Sequence, residues 1–120
     1  MVRKLTPVVI VEAIEPALPT WEGLGLRRVA EVPHGDRLGF VILAGDGVEL
    51  MLQTRASARE DLGFEPPAVA LYAEVGSVED AGAAAVGAAT LIARRTTPYG
   101  ATERWVRDPA GVVVGLAEHR

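Results

Sequence analysis

The chain writes one pattern twice. Two turns, Asp46-Gly47 and Ala110-Gly111, lie 64 residues apart (111 − 47), and two apolar opening strands, around Val8 and Tyr72, keep the same offset of 64 (72 − 8). Letter identity between the halves is low, so what recurs is an order of elements. A repeated order marks one supersecondary unit used twice.

In the first half, residues 5–11 read as a strand. Ile14, Leu18, Trp21 and Leu24 then recur at helical spacing, with Pro16 and Pro19 confined to the helix's first turn, where no intrahelical N–H is lost. Residues 26–32 and 38–43 read as strands joined by the loop Pro33-His34-Gly35-Asp36, and Asp46-Gly47 turns the chain into a strand over 48–53. Residues 55–62 suit a short helix, and 63–67, with two prolines, suit a connector. The second half restarts with a strand over 69–75. Ser77-Val78-Glu79-Asp80 then caps an alanine-rich helix reaching about Ala88, followed by a strand over 91–94 and a loop over 97–100.

The last unit is a hairpin over 103–118 folded on Asp108-Pro109-Ala110-Gly111. Pro109 presets φ for a type I turn, Asp108 can bond the backbone ahead, and Gly111 supplies the left-handed residue of a bulged three-residue loop. That register pairs Asp108 with Val112, Trp105 with Gly115 and Glu103 with Ala117.

Two copies of strand, helix and three strands predict an α+β fold: two βαβββ modules, about 1–62 and about 67–120, in a single domain over 1–120. They should form a curved mixed sheet, a cup with its helices on the convex face. Half the residues are apolar, enough for a core without staples, and the chain has no cysteine, which excludes disulfide and thiolate-metal frameworks and suits a reducing cytoplasm. A net charge of −4 lacks the basic footprint of a nucleic-acid binder, and no apolar run is long enough to span a membrane. The basic start is followed by an apolar run too short for a signal core.

Strand parity separates the two faces. Val48, Leu50 and Leu52 suit the core, leaving Glu49, Met51 and Gln53 in the cup; Val69, Leu71, Ala73 and Val75 suit the core, leaving Ala70, Tyr72 and Glu74 in it. The hairpin adds Glu103, Trp105, Arg107, Val113 and Gly115 to the cup and puts Arg104 on the helix side, where it must snorkel past a helix edge. The ligand-binding candidates are therefore Glu49, Met51, Gln53, Tyr72, Glu74, Glu103 and Trp105. Trp21 reads as core, His34 and His119 as solvated, and Arg94-Arg95 as a solvated strand end with an anion clamp as the alternative. Gly23-Leu24-Gly25 follows a helix and precedes a strand, the reverse of a dinucleotide motif, and no serine, histidine and acid form a nucleophile arrangement.

Lys4-Leu5-Thr6, Trp21 before Gly23-Leu24-Gly25-Leu26, Gly47-Val48-Glu49-Leu50, Pro98-Tyr99-Gly100 and Arg107-Asp108-Pro109-Ala110-Gly111 together resemble the vicinal oxygen chelate superfamily, which includes glyoxalase I, extradiol dioxygenases and fosfomycin-resistance enzymes, and look most like its bleomycin-resistance proteins. The resemblance implies that metal-using members place ligands at positions falling here on Thr6, Glu49, Ala70 and Gly115. One carboxylate in four is not a metal site. The expectation is a small-molecule binding protein, sequestering an apolar or cationic guest such as a bleomycin-like antibiotic, with no catalytic residues, metal or cofactor, and working as the homodimer that the resemblance implies. The competing expectation is a divalent-metal-dependent lyase, isomerase or dioxygenase with a different ligand set.

Overall fold

The computed structural model describes residues 6–97 and 100–119. The expected strand start at Leu5 and the loop residues Pro98 and Tyr99 lie outside the described residues. Within them, β1 (Val8–Val11) leads through a 3-10 turn (Glu15–Ala17) into α1 (Leu18–Gly23), then β2 (Arg27–His34), β3 (Arg37–Gly45), β4 (Val48–Thr54) and α2 (Arg55–Leu62). The second module runs β5 (Leu71–Glu74), α3 (Val78–Ala84), β6 (Ala89–Thr96), β7 (Ala101–Arg107) and β8 (Val113–His119).

The helix expected in the first module splits in two. Pro16 and Pro19 each sit in the opening turn of a helical piece, because neither can donate to the turn before it. Pro33 and His34 belong to β2 rather than to a loop, since His34 still pairs with Arg37 across a two-residue turn. Thr54 caps α2 by accepting from the Ser57 amide, and Ser77 caps α3 by accepting from the Asp80 amide. Val48 and Val69, expected in the core, are exposed: one opens its strand at the Gly47 turn and the other precedes β5.

The strands form two four-stranded mixed sheets with the same order, β1-β4-β3-β2 and β5-β8-β7-β6. Register confirms the offset of 64: Val8 pairs with Met51 in parallel, and Tyr72 pairs with Gly115 in parallel. The hairpin adopts the expected pairing, with Trp105 opposite Gly115 and Glu103 opposite Ala117. Its turn closes by Asp108 N donating to Val112 O at 2.9 Å and Gly111, at φ 96°, donating to Asp108 O at 3.0 Å.

One apolar cluster draws on both modules. Val9, Val11, Leu43, Leu50 and Leu52 from the first meet Val106, Val114 and Leu116 from the second around Ile14, Leu18 and Trp21. Burial of such side chains is worth about 1.5–3 kcal/mol each. Arg104 lies on the helix side as expected, running across Gly82 of α3, where a Cβ would meet its side chain at 2.7 Å.

One polar tie between the modules is Asp108, 3% exposed. Its Oδ1 accepts from the Ala110 and Val112 amides, both at 2.9 Å, and its Oδ2 accepts from Trp21 Nε1 of α1 at 2.8 Å. Removing an acceptor strands buried donors, at about 1–3 kcal/mol for each. Asp108→Ala should therefore lower stability by about 3 kcal/mol or more, and Trp21→Phe by less, in urea unfolding with an unchanged slope. A loss for Asp108→Ala of under about 1 kcal/mol would show that the tie is incidental.

A second clamp fastens α2 to the connector. Glu65 accepts from Arg55 Nη1 and from Arg59 Nε, both at 2.6 Å, and these bonds hold its carboxyl below the usual range. A lowered folded-state pKa gives stability that is present above the unfolded value of about 4.3 and lost as pH falls through the folded one. Glu65→Gln should thus shift the unfolding midpoint at neutral pH and leave it unchanged in acid below both values.

Candidate functional site

The second module's cup face is organised by one buried carboxylate. Glu103, on β7, is 0% exposed, and a lone buried charge is costly unless hydrogen-bonded. Its Oε1 accepts from Arg95 Nε at 2.7 Å and from Trp105 Nε1 at 2.9 Å, while its Oε2 accepts from the Tyr72 hydroxyl. Arg95 reaches it because β6 pairs Arg95 with Glu103 directly. The guanidinium also lies 5.6 Å from the Trp105 ring centroid, within cation–π range. Three expected site residues, Tyr72, Glu103 and Trp105, thus form one cluster.

Arg95 corrects the reading of Arg94-Arg95 as a solvated strand end. Side chains alternate along β6, so Arg94 pairs with Glu79 of α3 at 2.8 Å while Arg95 turns to the opposite face. The ladder continues past Arg94 to Thr96, further than composition suggested. The signal was available as a cross-strand acid, but it needed the β6–β7 register, which bulges between Ile92 and Arg95.

Gly115 gives the cluster its floor. The Trp105 indole lies over it so closely that a Cβ there would be 2.6 Å from the ring. The Tyr72 and Trp105 rings stand 6.0 Å apart, tilted by 50°, and the His119 ring meets Tyr72 edge-on at 6.4 Å. His119 also lies 3.8 Å from Glu74, and His34 pairs with Glu60 at 2.8 Å.

The other expected residues lie elsewhere. Glu49 accepts from the Thr6 hydroxyl at 3.1 Å and, with Tyr72 and Glu74, lines a cleft of about 320 Å³ between the modules. Trp21, Leu26, Leu50, Leu71 and Val114 form its apolar walls. Met51 sits between Val8 and Ile42 on the first module's face. Gln53 is 8% exposed and donates to Ser57 Oγ and Asp61 Oδ2 of α2, which closes over that end of the face.

The positions where the resemblance would put metal ligands do not fit a divalent ion. Thr6 spends its hydroxyl on Glu49, Ala70 has no donor, and the space a side chain at 115 would need is filled by indole. Among the described residues no three His, Asp or Glu side chains converge. Nor does any helix there have the length and apolarity to cross a membrane.

No protein-family model matches the sequence, and no curated protein does. Solved structures do. A glyoxalase-related enzyme from Fulvimarina pelagi superposes with a TM-score of 0.75 at 21% identity, covering 99% of this chain and 89% of its own. A glyoxalase/bleomycin resistance protein/dioxygenase superfamily member from Sphaerobacter thermophilus gives 0.74 at 20%, covering 99% and 98%. A lactoylglutathione lyase from Agrobacterium tumefaciens gives 0.71 at 15%, covering 97% and 92%. Together with the doubled βαβββ register, these matches show that the chain has the fold of the glyoxalase/bleomycin resistance protein/dioxygenase superfamily.

Proposed function

We propose that this protein binds a small molecule with apolar and cationic character in the cleft between its modules, without a divalent metal and without chemical turnover. The observation that carries this reading is the cleft itself: apolar walls, a half-open tyrosine, and two lining carboxylates, Glu49 from the first module and Glu74 from the second. A cavity of about 320 Å³ lies within the range of ligand pockets. Two acids in that lining favour a cation by field alone, and Tyr72 adds a ring face. Several superposing proteins carry bleomycin resistance in their family description. A bulky cationic antibiotic is accordingly one candidate guest, and sequestration the role. The absence of cysteine suits work in a reducing cytoplasm.

We also propose that the working form is a homodimer. β2 and β6, the outer strands of the two sheets, are exposed along their whole length, and Val29, Val32, Leu91 and Ile92 show apolar side chains there. Uncovered edges and apolar faces of this extent are what a second copy would cover.

Calorimetry on chelator-treated protein tests the binding. A panel of bleomycin and smaller cationic aromatics should include binders, and Tyr72→Ala or Glu74→Gln should weaken them by about two- to fivefold, the worth of one exposed cation contact. Silence across the panel, or binding restored only by added metal, would overturn the reading. Sedimentation equilibrium should give twice the 12.7 kDa chain mass, reduced toward one chain by Val32→Asp with Ile92→Asp. A monomer at every concentration would refute the dimer.

A further inference from the structure

The repeat supplies an internal control for the charge buried in the second module. Glu103 pairs with Ala117 and Arg95, and at the offset of 64 Ala117 corresponds to Gln53, which pairs with Phe40, which in turn pairs with Val32. The same corner of the same fold is therefore built once from Glu103 and Arg95 and once from Phe40 and Val32, beside a Gln53 that bonds to Ser57 and Asp61 of α2. Likewise Tyr72 and Gly115 correspond to Val8 and Met51. The architecture does not require a buried carboxylate there, and burying one is costly unless it is hydrogen-bonded. Charge retained where the fold accepts an uncharged strand pair points to recognition.

The geometry points to Arg95 as the receptor for a ligand carboxylate, with an aromatic group of the same ligand against Trp105 and Tyr72. This inference rests on the reading that the cup binds a small molecule, and it adds an anionic end to a guest so far described by its cationic one. Arg95 is about half exposed, while its Nε is fixed on the fully buried Glu103. Its Nη1 and Nη2 have no acceptor among the described residues. A guanidinium held by Nε and lying 5.6 Å from an indole centroid has lost part of its rotamer freedom already, so its terminal fork can take a planar oxyanion at reduced entropic cost. Tyr72 joins this corner to the cleft, because its ring lines the cleft and its hydroxyl is held by Glu103. The ligand class is an amphoteric aromatic: a carboxylate at Arg95, a ring laid along the outer edge of the Trp105–Tyr72 pair, whose own ring centroids lie 6.0 Å apart, and a cation toward Glu74.

The test compares naphthoate with naphthamide, which share shape and ring but differ in charge, by calorimetry and tryptophan fluorescence. Wild-type protein should prefer the carboxylate by about tenfold, the worth of one charge-assisted bidentate contact. Arg95→Lys, which keeps the charge and loses the fork, should reduce that preference. Arg95→Met combined with Glu103→Gln, which avoids an unpaired buried charge, should abolish it while naphthamide still binds. If the double variant loses its near-ultraviolet dichroism, Arg95→Lys carries the test. Equal affinity for the two compounds, or a preference that survives Arg95→Lys undiminished, overturns the role of Arg95 alone. Failure of both compounds, together with failure of the cationic panel, overturns the binding reading as well.

Discussion

A carboxylate that accepts three hydrogen bonds, two from its own turn and one from a tryptophan in the other module, is the constraint on which the rest of this structure depends. Asp108 fixes the bulged turn of the last hairpin, and through Trp21 it fixes where that hairpin lies against α1. The hairpin register then decides everything on the cup face: Trp105 over Gly115, Glu103 over Ala117, and Tyr72 across from both. A slip of one residue would exchange those side chains for Arg104 and Leu116 on the opposite face. Pro109 and Gly111 make the turn local and cheap to form, while Asp108 makes it cooperative with the core.

The same hairpin holds a second buried carboxylate with a different task. Asp108 is satisfied mostly by backbone and serves the fold; Glu103 is satisfied by side chains and serves a surface. Three groups that could each rotate freely, a guanidinium, an indole and a phenol, are held by one acid in a single arrangement. Such preorganisation is what a binding face needs, and it asks nothing of a metal. The first module builds this corner without an ion pair, from Phe40, Val32 and a Gln53 bonded to α2, so the two faces of one repeated fold have become chemically unlike.

Much of this was legible in the sequence because it depends on local rules. The offset of 64, the turn chemistry of Asp108-Pro109-Ala110-Gly111, the caps at Ser77 and the bounds of α2 follow from turn residues and periodicity, and the alternation of Tyr72 and Leu71 follows from strand parity. Arg104 looked misplaced on the helix side until Gly82 made room for it, a contact between elements that no local pattern reports. Arg95 was hidden for the same reason: its partner lies across a bulged ladder, and two adjacent arginines at a strand end look solvated unless the register is known. Gln53 was placed in the cup by parity, correctly for its strand, but α2 folds over it and takes both of its amide hydrogens.

We propose that this cup recognises its ligand through fixed aromatic and charged side chains and without a chelated metal. Crystals grown with zinc, nickel or manganese and measured at the absorption edge of each ion test it most directly. The Trp105 indole should lie over Gly115 in every case, with no ordered anomalous peak within coordination distance of Glu49. A fully occupied peak there, with Trp105 displaced, would contradict it.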